Sequence, residues 1–564
     1  MSYRFALPDD LRGVVDQAAA DWQSNNKVDR FWRKDPTLWT QDGEEKWLGW
    51  INIVEREQAE AQQQAALAAD IRSAGFQSAL LLGMGGSSLC PEVLSVTFGP
   101  QAGFPPLHIV DSTDPAQVKA ARDKVDLAKT IVVVASKSGS TLEPNVLKQY
   151  FFEEMKNAVG ADKAGSHFIA ITDPGSKMEQ VARGDNFRHI FFGDPEIGGR
   201  FSALSNFGVV AATVAGLDTP RLLSEAAKAV SSAKRPVMQN GAVQLGLILG
   251  SAHEHGRDKL TVFTSPEIHD LGAWLEQLVA ESTGKLGKGI TPVDREAVAS
   301  PDRYGNDRVF AYIRLAGTAD ASQDAAVAAL EKAGHPVVHF ELNDLYEIFG
   351  QFFTWEVATA VAGSVMGINP FNQPDVESAK IETRNLTSEY EKTGKLPASS
   401  PILTSNGVQL FATDAYAATL KSAAPSQDLV GYIKAHLAQI KPHDYFATLA
   451  FLPMFTEFED VIQGFRHKVR DAKKVATCLG FGPRFLHSTG QDYKGGPNTG
   501  AFLQFTADHA LDVPIPGQKY SFGIVIDAQA AGEMPIAADH GPRIGPFAAI
   551  QGMDAARAEA AALG

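Results

Sequence analysis

Four apolar runs between residues 78 and 172 constrain this chain more than anything else in it. Ala79-Leu80-Leu81-Leu82, Leu107-His108-Ile109-Val110, Thr130 to Ala135 and His167 to Thr172 are all of strand length, and Gly, Asp or Ser follows each one. An amphipathic polar segment comes next in every case. Strands without polar alternation are buried on both faces, and helical crossovers between them make a parallel sheet of the doubly wound kind. A second series begins near 258, with Leu260 to Phe263, Arg308 to Leu315 and Pro336 to Phe340, and helices are expected at about 271–282 and 351–366.

Around these units the pattern changes. Residues 9–74 read as helices, with tryptophans at 22, 32, 39, 47 and 50 to pack against a neighbour. The stretch 394–407 is rich in Pro, Ser and Gly and marks a boundary. Beyond it, Tyr445 to Leu452, Ala501 to Thr506 and Tyr520 to Ile526 read as strands, with a long amphipathic helix between the first two. The expected organisation is therefore α/β: a helical segment over 1–74, doubly wound domains over 75–235 and 236–395, and a smaller α/β module over 396–564.

Composition narrows the function classes. A net charge of −15 over 564 residues argues against nucleic acid, which demands a clustered excess of Lys and Arg. A small phosphate is still compatible, because backbone N–H groups and a few local cations suffice to hold it. Two cysteines far apart, Cys90 and Cys478, fit a reducing compartment and give neither a disulfide scaffold nor a cysteine zinc cluster. The first residues carry early acids and no apolar core of a signal peptide, and no apolar stretch is of membrane-spanning length. A cytoplasmic protein without membrane contact is the expectation. His253, His255, His269 and His339 lack metal-ligand spacing, so no metal site is expected.

Two loops look built for phosphate. Gly83-Met84-Gly85-Gly86-Ser87-Ser88 follows a strand and opens a helix, where glycines allow close backbone approach and the helix end offers free N–H groups. It half-matches a dinucleotide fingerprint, with Asp111 ending the next strand, but Ser88 stands at the third glycine position. Ser136-Lys137-Ser138-Gly139-Ser140-Thr141 crowds five hydroxyl or ammonium side chains at a strand's carboxyl end, before a helix starting near Glu143. Together with helix N–H groups they form a cage for a phosphate dianion, and the order of residues differs from a nucleotide P-loop.

Gly-Gly-Ser after one strand and Ser-Lys-Ser-Gly-Ser-Thr after another resembles the sugar isomerase (SIS) domain, and the order and spacing resemble its phosphoglucose isomerase branch. The resemblance implies two tandem SIS domains. It also implies sugar-phosphate contacts from Gly86, Ser87, Ser136, Lys137, Ser138 and Thr141.

Three further segments carry the chemistry. In Ile197-Gly198-Gly199-Arg200-Phe201-Ser202, two glycines let an arginine leave a tight turn, and guanidinium suits a delocalised oxyanion. From the residues alone Arg200 is either that cation or a surface salt bridge. Glu281, in Glu281-Ser282-Thr283-Gly284-Lys285, opposes the dipole at a helix C-terminus. Alone it reads equally as a solvated helix-end charge. The family resemblance makes Arg200 the enediolate-stabilising cation, Glu281 the group carrying a proton between C2 and C1, and Gln277 a substrate ligand. Asn369-Pro370-Phe371-Asn372-Gln373 through Lys380 is similar to another family signature, with Asn372 in place of the usual Asp. It implies Gln373 as a substrate ligand and Lys380 as a ring-opening residue; otherwise the segment is a loop entering a helix, with Glu377 and Lys380 an exposed pair.

The match breaks where the family places a partner-supplied ring-opening histidine in Gly-Gln-His: this chain has Tyr304-Gly305-Asn306-Asp307-Arg308. Lys380 with water, Asp307, or another histidine remain open, and His487 in the Gly482–Gln491 loop is a candidate for the active site. The tail, and the chain as a whole, is similar to the isomerase part of bacterial fused transaldolase–phosphoglucose isomerases. About 74 residues ahead of the first α/β unit leave no room for a transaldolase barrel of some 250.

The implied activity interconverts glucose 6-phosphate and fructose 6-phosphate, in glycolysis and gluconeogenesis, without a cofactor. A second specificity for mannose 6-phosphate, and a non-catalytic phosphosugar-binding regulator, are the alternatives. A homodimer and a monomer both remain open.

Overall fold

The computed structural model describes residues 2–318, 320–397, 400–539 and 547–551, without the side chains of 376–379, 534–539 and 547. The Glu377 side chain, and the tail of the C-terminal module at 540–546 and 552–564, lie outside the described residues. Three sheets organise the chain.

The first sheet is wholly parallel, in the order Leu107–Val110, Ser78–Leu82, Thr130–Ala135, Phe168–Thr172, His189–Phe192. Leu80, Leu81, Leu82 and every residue from Thr130 to Ala135 are buried, because helices cover both faces. Counted along the chain, this is the order 2-1-3-4-5. The second sheet repeats it: Thr291–Val293, Lys259–Thr264, Arg308–Leu315 and Val337–Leu342 are parallel neighbours. Its fifth position is filled by Ser2–Ala6, which runs antiparallel to Val337–Leu342. A strand at the start of the chain was not expected in a segment read as helical. Its cause is local alternation: Tyr3 and Phe5 stack at 5.4 Å, and Phe5 meets Phe340 of the neighbouring strand edge-on at 6.3 Å.

The Ile348–Met366 helix is buried on almost all sides and packs against the Gly241–Glu254, Thr219–Ala233 and Leu271–Thr283 helices, joining the two α/β units in one core. Among the described residues no helix is long and apolar enough to cross a membrane.

The third sheet belongs to the C-terminal module. It runs Leu403–Ser405, Val408–Phe411, Phe547–Gln551, Gly500–Thr506, Tyr445–Phe451, Ala476–Phe481, with the first two strands an antiparallel edge hairpin and the last four parallel. The amphipathic Thr456–Lys473 helix connects Tyr445–Phe451 to Ala476–Phe481. The run Tyr520–Ile526, read as a strand, instead opens the Phe522–Asp539 helix. Ser521 starts it, accepting from the Ile524 N–H at 3.3 Å. A short apolar run has no period that separates a buried strand from a helix buried all round.

A buried ion pair holds the module to the second sheet. Arg308 and Glu296 are fully buried and meet at 3.0 Å; Arg308 also donates to the Val475 carbonyl at 3.0 Å, and Thr477 donates to Glu296 at 2.9 Å. Replacing one member strands the other without solvent. Arg308→Met is therefore expected to lower unfolding stability by about 3–5 kcal/mol, seen as a reduced urea midpoint by circular dichroism.

Candidate active site

In a parallel sheet of order 2-1-3-4-5, the crevice for a ligand opens beyond the carboxyl ends of strands 1 and 3, where the connections leave in opposite directions. In the first sheet those strands are Ser78–Leu82 and Thr130–Ala135. The loops that follow them are the two phosphate candidates, and both border a single cavity of about 360 Å³. Ser136 is buried there with no hydrogen-bond partner for its hydroxyl among the described residues. Ser138 and Ser140 share a hydrogen bond of 2.8 Å, and Thr141 precedes the Leu142–Val159 helix. Lys137 is placed otherwise than a free phosphate cation: its ammonium pairs with Asp173 and donates to the Asp194 carbonyl at 2.8 Å. Burial raises the Asp173 carboxyl, with Lys137 opposing it.

Gly86 lies so close to Gly199 that a Cβ on it would sit 2.1 Å from the Gly199 carbonyl oxygen. That approach brings Gly198-Gly199-Arg200 to the first loop and directs Arg200 into the core, 1% exposed. Its Nε donates to Ser282 at 2.7 Å and one terminal nitrogen to Gln373 Oε1 at 2.9 Å. The other terminal nitrogen donates to the carbonyls of Pro370 at 2.7 Å and Asn372 at 3.0 Å. The nitrogen on Gln373 also lies 3.3 Å from Glu281 Oε1. Lys285 reinforces the same turn, donating to the Asn372 carbonyl at 2.5 Å and its side-chain oxygen at 2.9 Å. Burial, then the Arg200 charge, holds its ammonium well below the usual lysine range.

The Leu271–Thr283 helix presents Gln277 and Glu281 one turn apart on the cavity. Gln277 donates to Glu281 at 3.2 Å and to the His487 carbonyl at 2.8 Å. His487 comes from the C-terminal module, and its Nε2 lies 3.0 Å from Glu143 Oε1. Burial raises the Glu143 carboxyl, but the facing His487 and the Lys380 charge outweigh it and hold it below the usual range. Glu143 also stands in the first turn of its helix, where the dipole favours an anion.

The module reaches further into the site. Gln491 donates to the Gly284 carbonyl at 2.8 Å and to Asp375 at 2.6 Å, and its own oxygen accepts from the Asp375 N–H at 3.0 Å. It thereby ties the end of the Glu281 helix to the start of the Pro374–Thr393 helix, which carries Lys380. The packing is tight: a Cβ at Gly284 would lie 2.2 Å from the Asp492 Cα.

The phosphoglucose isomerase family model matches residues 70–300. A glucose-6-phosphate isomerase of Rubrobacter xylanophilus is 32% identical over 363 residues, covering 55% of this chain and 82% of that protein. The chain belongs to the glucose-6-phosphate isomerase family. The namesake from Thermus thermophilus is 28% identical over 348 residues, 54% of this chain and 82% of its own. The crystal structure of a glucose-6-phosphate isomerase from Chlamydia trachomatis shares the fold, with a TM-score of 0.57, 19% identity, and coverage of 70% of this chain and 89% of that one.

All the family-like positions face one another here. Gly86, Ser87, Ser136, Lys137, Ser138, Thr141, Arg200, Gln277, Glu281, Gln373, Lys380 and His487 line the same cavity. Asp307 does not: it is buried beside Lys259, whose N–H donates to its carbonyl at 3.0 Å. Sequence reasoning missed Glu143, Ser282, Lys285 and Arg384. Glu143 sits two residues beyond the hydroxyl loop, but its pairing with a histidine 344 positions later leaves no local trace. Arg384, one helical turn after Lys380, also lines the cavity.

The Gly86–Gly199 approach yields a paired test. Gly86→Ala should cost about 1–3 kcal/mol of stability by forcing the two loops apart. Gly199→Ala, with nothing within 4 Å of the added carbon, should change it by less than about 1 kcal/mol. Urea unfolding of the two variants decides.

Proposed function

We propose that this chain interconverts glucose 6-phosphate and fructose 6-phosphate by proton transfer through an enediolate. The observation that carries the reading is the Glu281–Arg200 contact of 3.3 Å on the cavity that the hydroxyls of Ser87, Ser136, Ser138 and Thr141 also line. A base beside a buried cation is what proton transfer next to a carbonyl needs.

In this mechanism the phosphate sits on the hydroxyls of Ser87, Ser136, Ser138 and Thr141, with Gly86 and Lys137 shaping the loops. Glu281 removes the proton from C2 of the aldose and returns it to C1, or the reverse. Four N–H groups of Arg200 donate to protein acceptors, and the nitrogen toward Glu281 meets it as an ion-pair contact of 3.3 Å. When Glu281 becomes neutral by taking the proton, that donor is released to the enediolate oxygen. Charge leaves the carboxylate and appears on the substrate while the guanidinium stays in place. Gln277 and Gln373 orient the hydroxyls.

Ring opening falls to His487 and Lys380. His487 takes the proton of the anomeric hydroxyl, the bond from the anomeric carbon to the ring oxygen breaks, and Lys380 protonates that oxygen. His487 and Glu281 belong to the same chain, so this arrangement does not call for a partner-supplied histidine.

The test is fructose 6-phosphate turnover with EDTA present, coupled to glucose-6-phosphate dehydrogenase. Glu281→Gln should lower kcat by about 10²–10⁴-fold and leave KM within about threefold. A wild-type protein that binds 6-phosphogluconate without turnover would overturn the reading in favour of a phosphosugar-binding regulator.

A further inference from the structure

We infer that Gln529 is a positioning residue that fixes the Glu143–His487 pair for proton transfer, so the C-terminal module supplies both the imidazole and the group that holds its partner. The inference rests on the role proposed above for His487.

The Phe522–Asp539 helix lays Gln529 on the smaller cavity that adjoins the first, together with Glu143 and His487. Its Nε2 donates to Glu143 Oε1 at 2.7 Å, the same oxygen that lies 3.0 Å from His487 Nε2. Its Oε1 accepts from the Thr113 hydroxyl at 2.6 Å. Thr113, Gln529, Glu143 and His487 are 0%, 2%, 4% and 9% exposed, so solvent does not replace these bonds. The chain of bonds crosses three times between the first α/β unit and the C-terminal module.

Its polarity is set by elementary donor rules. A carboxylate accepts and cannot donate, so the imidazole proton toward Glu143 sits on Nε2. That leaves the Nδ1 lone pair as the site for the sugar hydroxyl's proton. The carboxamide is likewise locked, because turning it over would set its oxygen against the carboxylate. Thr113 donating to the far end favours the same orientation. Without Gln529, Glu143 keeps His487 as a partner but loses the donor that fixes its rotamer and favours its charged form.

The charged surroundings of Glu143 come from two elements besides its own helix: His487 on the module's loop, and Lys380 on the Pro374–Thr393 helix, where Arg384 lines the adjoining cavity. Nearby acids are engaged elsewhere. Asp111 is held by Arg484 and Ser88, Asp114 caps a helix through the Gln117 N–H, and Asp527 faces His509. Since Glu143 must be ionised to hold the Nε2 proton, losing a donor raises its pKa. Activity then fails at a higher pH as the solution is acidified.

Gln529→Leu and the milder Thr113→Val test this by two routes. In kinetics, Gln529→Leu should lower kcat on the order of 10-fold, leave KM within about twofold, and move the acid limb of kcat/KM up by about 0.5–1 pH unit. Thr113→Val should shift the limb the same way by less. In the substrate-free protein, nitrogen-15 NMR should show His487 protonated on Nε2 in the wild type and as a tautomer mixture in Gln529→Leu. Unchanged tautomer and pH profile, with only a lower melting temperature, would overturn the inference and leave Gln529 as packing. If Gln529→Leu does not fold, the Thr113→Val profile decides by the same criteria. The NMR result stands apart from turnover, so a wild type without isomerase activity sinks the proposed function and not this arrangement.

Discussion

The guanidinium of Arg200 is the constraint around which the site is assembled. An arginine 1% exposed is tolerable only if all its donors are met, since an unpaired buried charge costs several kcal/mol. Here the acceptors come from Ser282 and Glu281 at one helix end and from Pro370, Asn372 and Gln373 in one turn. Segments far apart in sequence are thus fixed by a single planar group. Lys285 bonds the Asn372 turn from the other side, so a second buried cation repeats the constraint. Shifting any one segment would leave either a charge without a partner or a carbonyl without a donor.

The C-terminal module follows the same logic at larger scale. It is tied to the second sheet by Val475 and Thr477 on the Arg308–Glu296 pair, to the first α/β unit by Arg484 on Glu92 and Asp111, and to the site by Gln491 on Gly284 and Asp375. Each of these bonds is buried or nearly so, and each joins residues that would otherwise need water. A domain attached through satisfied buried polar groups is part of the scaffold, in contrast to one resting on a polar surface patch. That is how its loop holds His487 3.0 Å from Glu143. His487 lies in a segment that the family model, ending at residue 300, does not reach.

What the sequence disclosed, and what it hid, divide along the range of the interactions. The parallel strands were legible because burial on both faces writes itself into uninterrupted runs such as Ile131 to Ala135. The two loops at their ends were legible because helix N-termini and glycine turns are local. The Ser2–Ala6 strand was not: five residues pair with Val337–Leu342 across the whole first half of the chain. Phe522–Asp539 failed for the opposite reason, since its opening run Phe522 to Ile526 is continuously apolar and too short to show a helical period. In the site, the Lys137 ammonium meets Asp173, one strand away, a pairing that the loop sequence does not record. Glu143–His487 is a contact between modules, and no spacing rule records it.

Charge accounting in the cavity joins these points to chemistry. Its lining carries four formal cations, Lys137, Arg200, Lys380 and Arg384, against two carboxylates, Asp173 and Glu281. The excess of two matches a phosphate dianion, in a protein whose overall charge is −15. Attraction for the substrate is therefore local, set by which lysines and arginines the fold turns inward, and the general acidity of the surface works against loose binding of other polyanions. Within that lining Lys137 meets Asp173 and Arg200 meets Glu281, while Lys380 and Arg384 stand one helical turn apart on the Pro374–Thr393 helix.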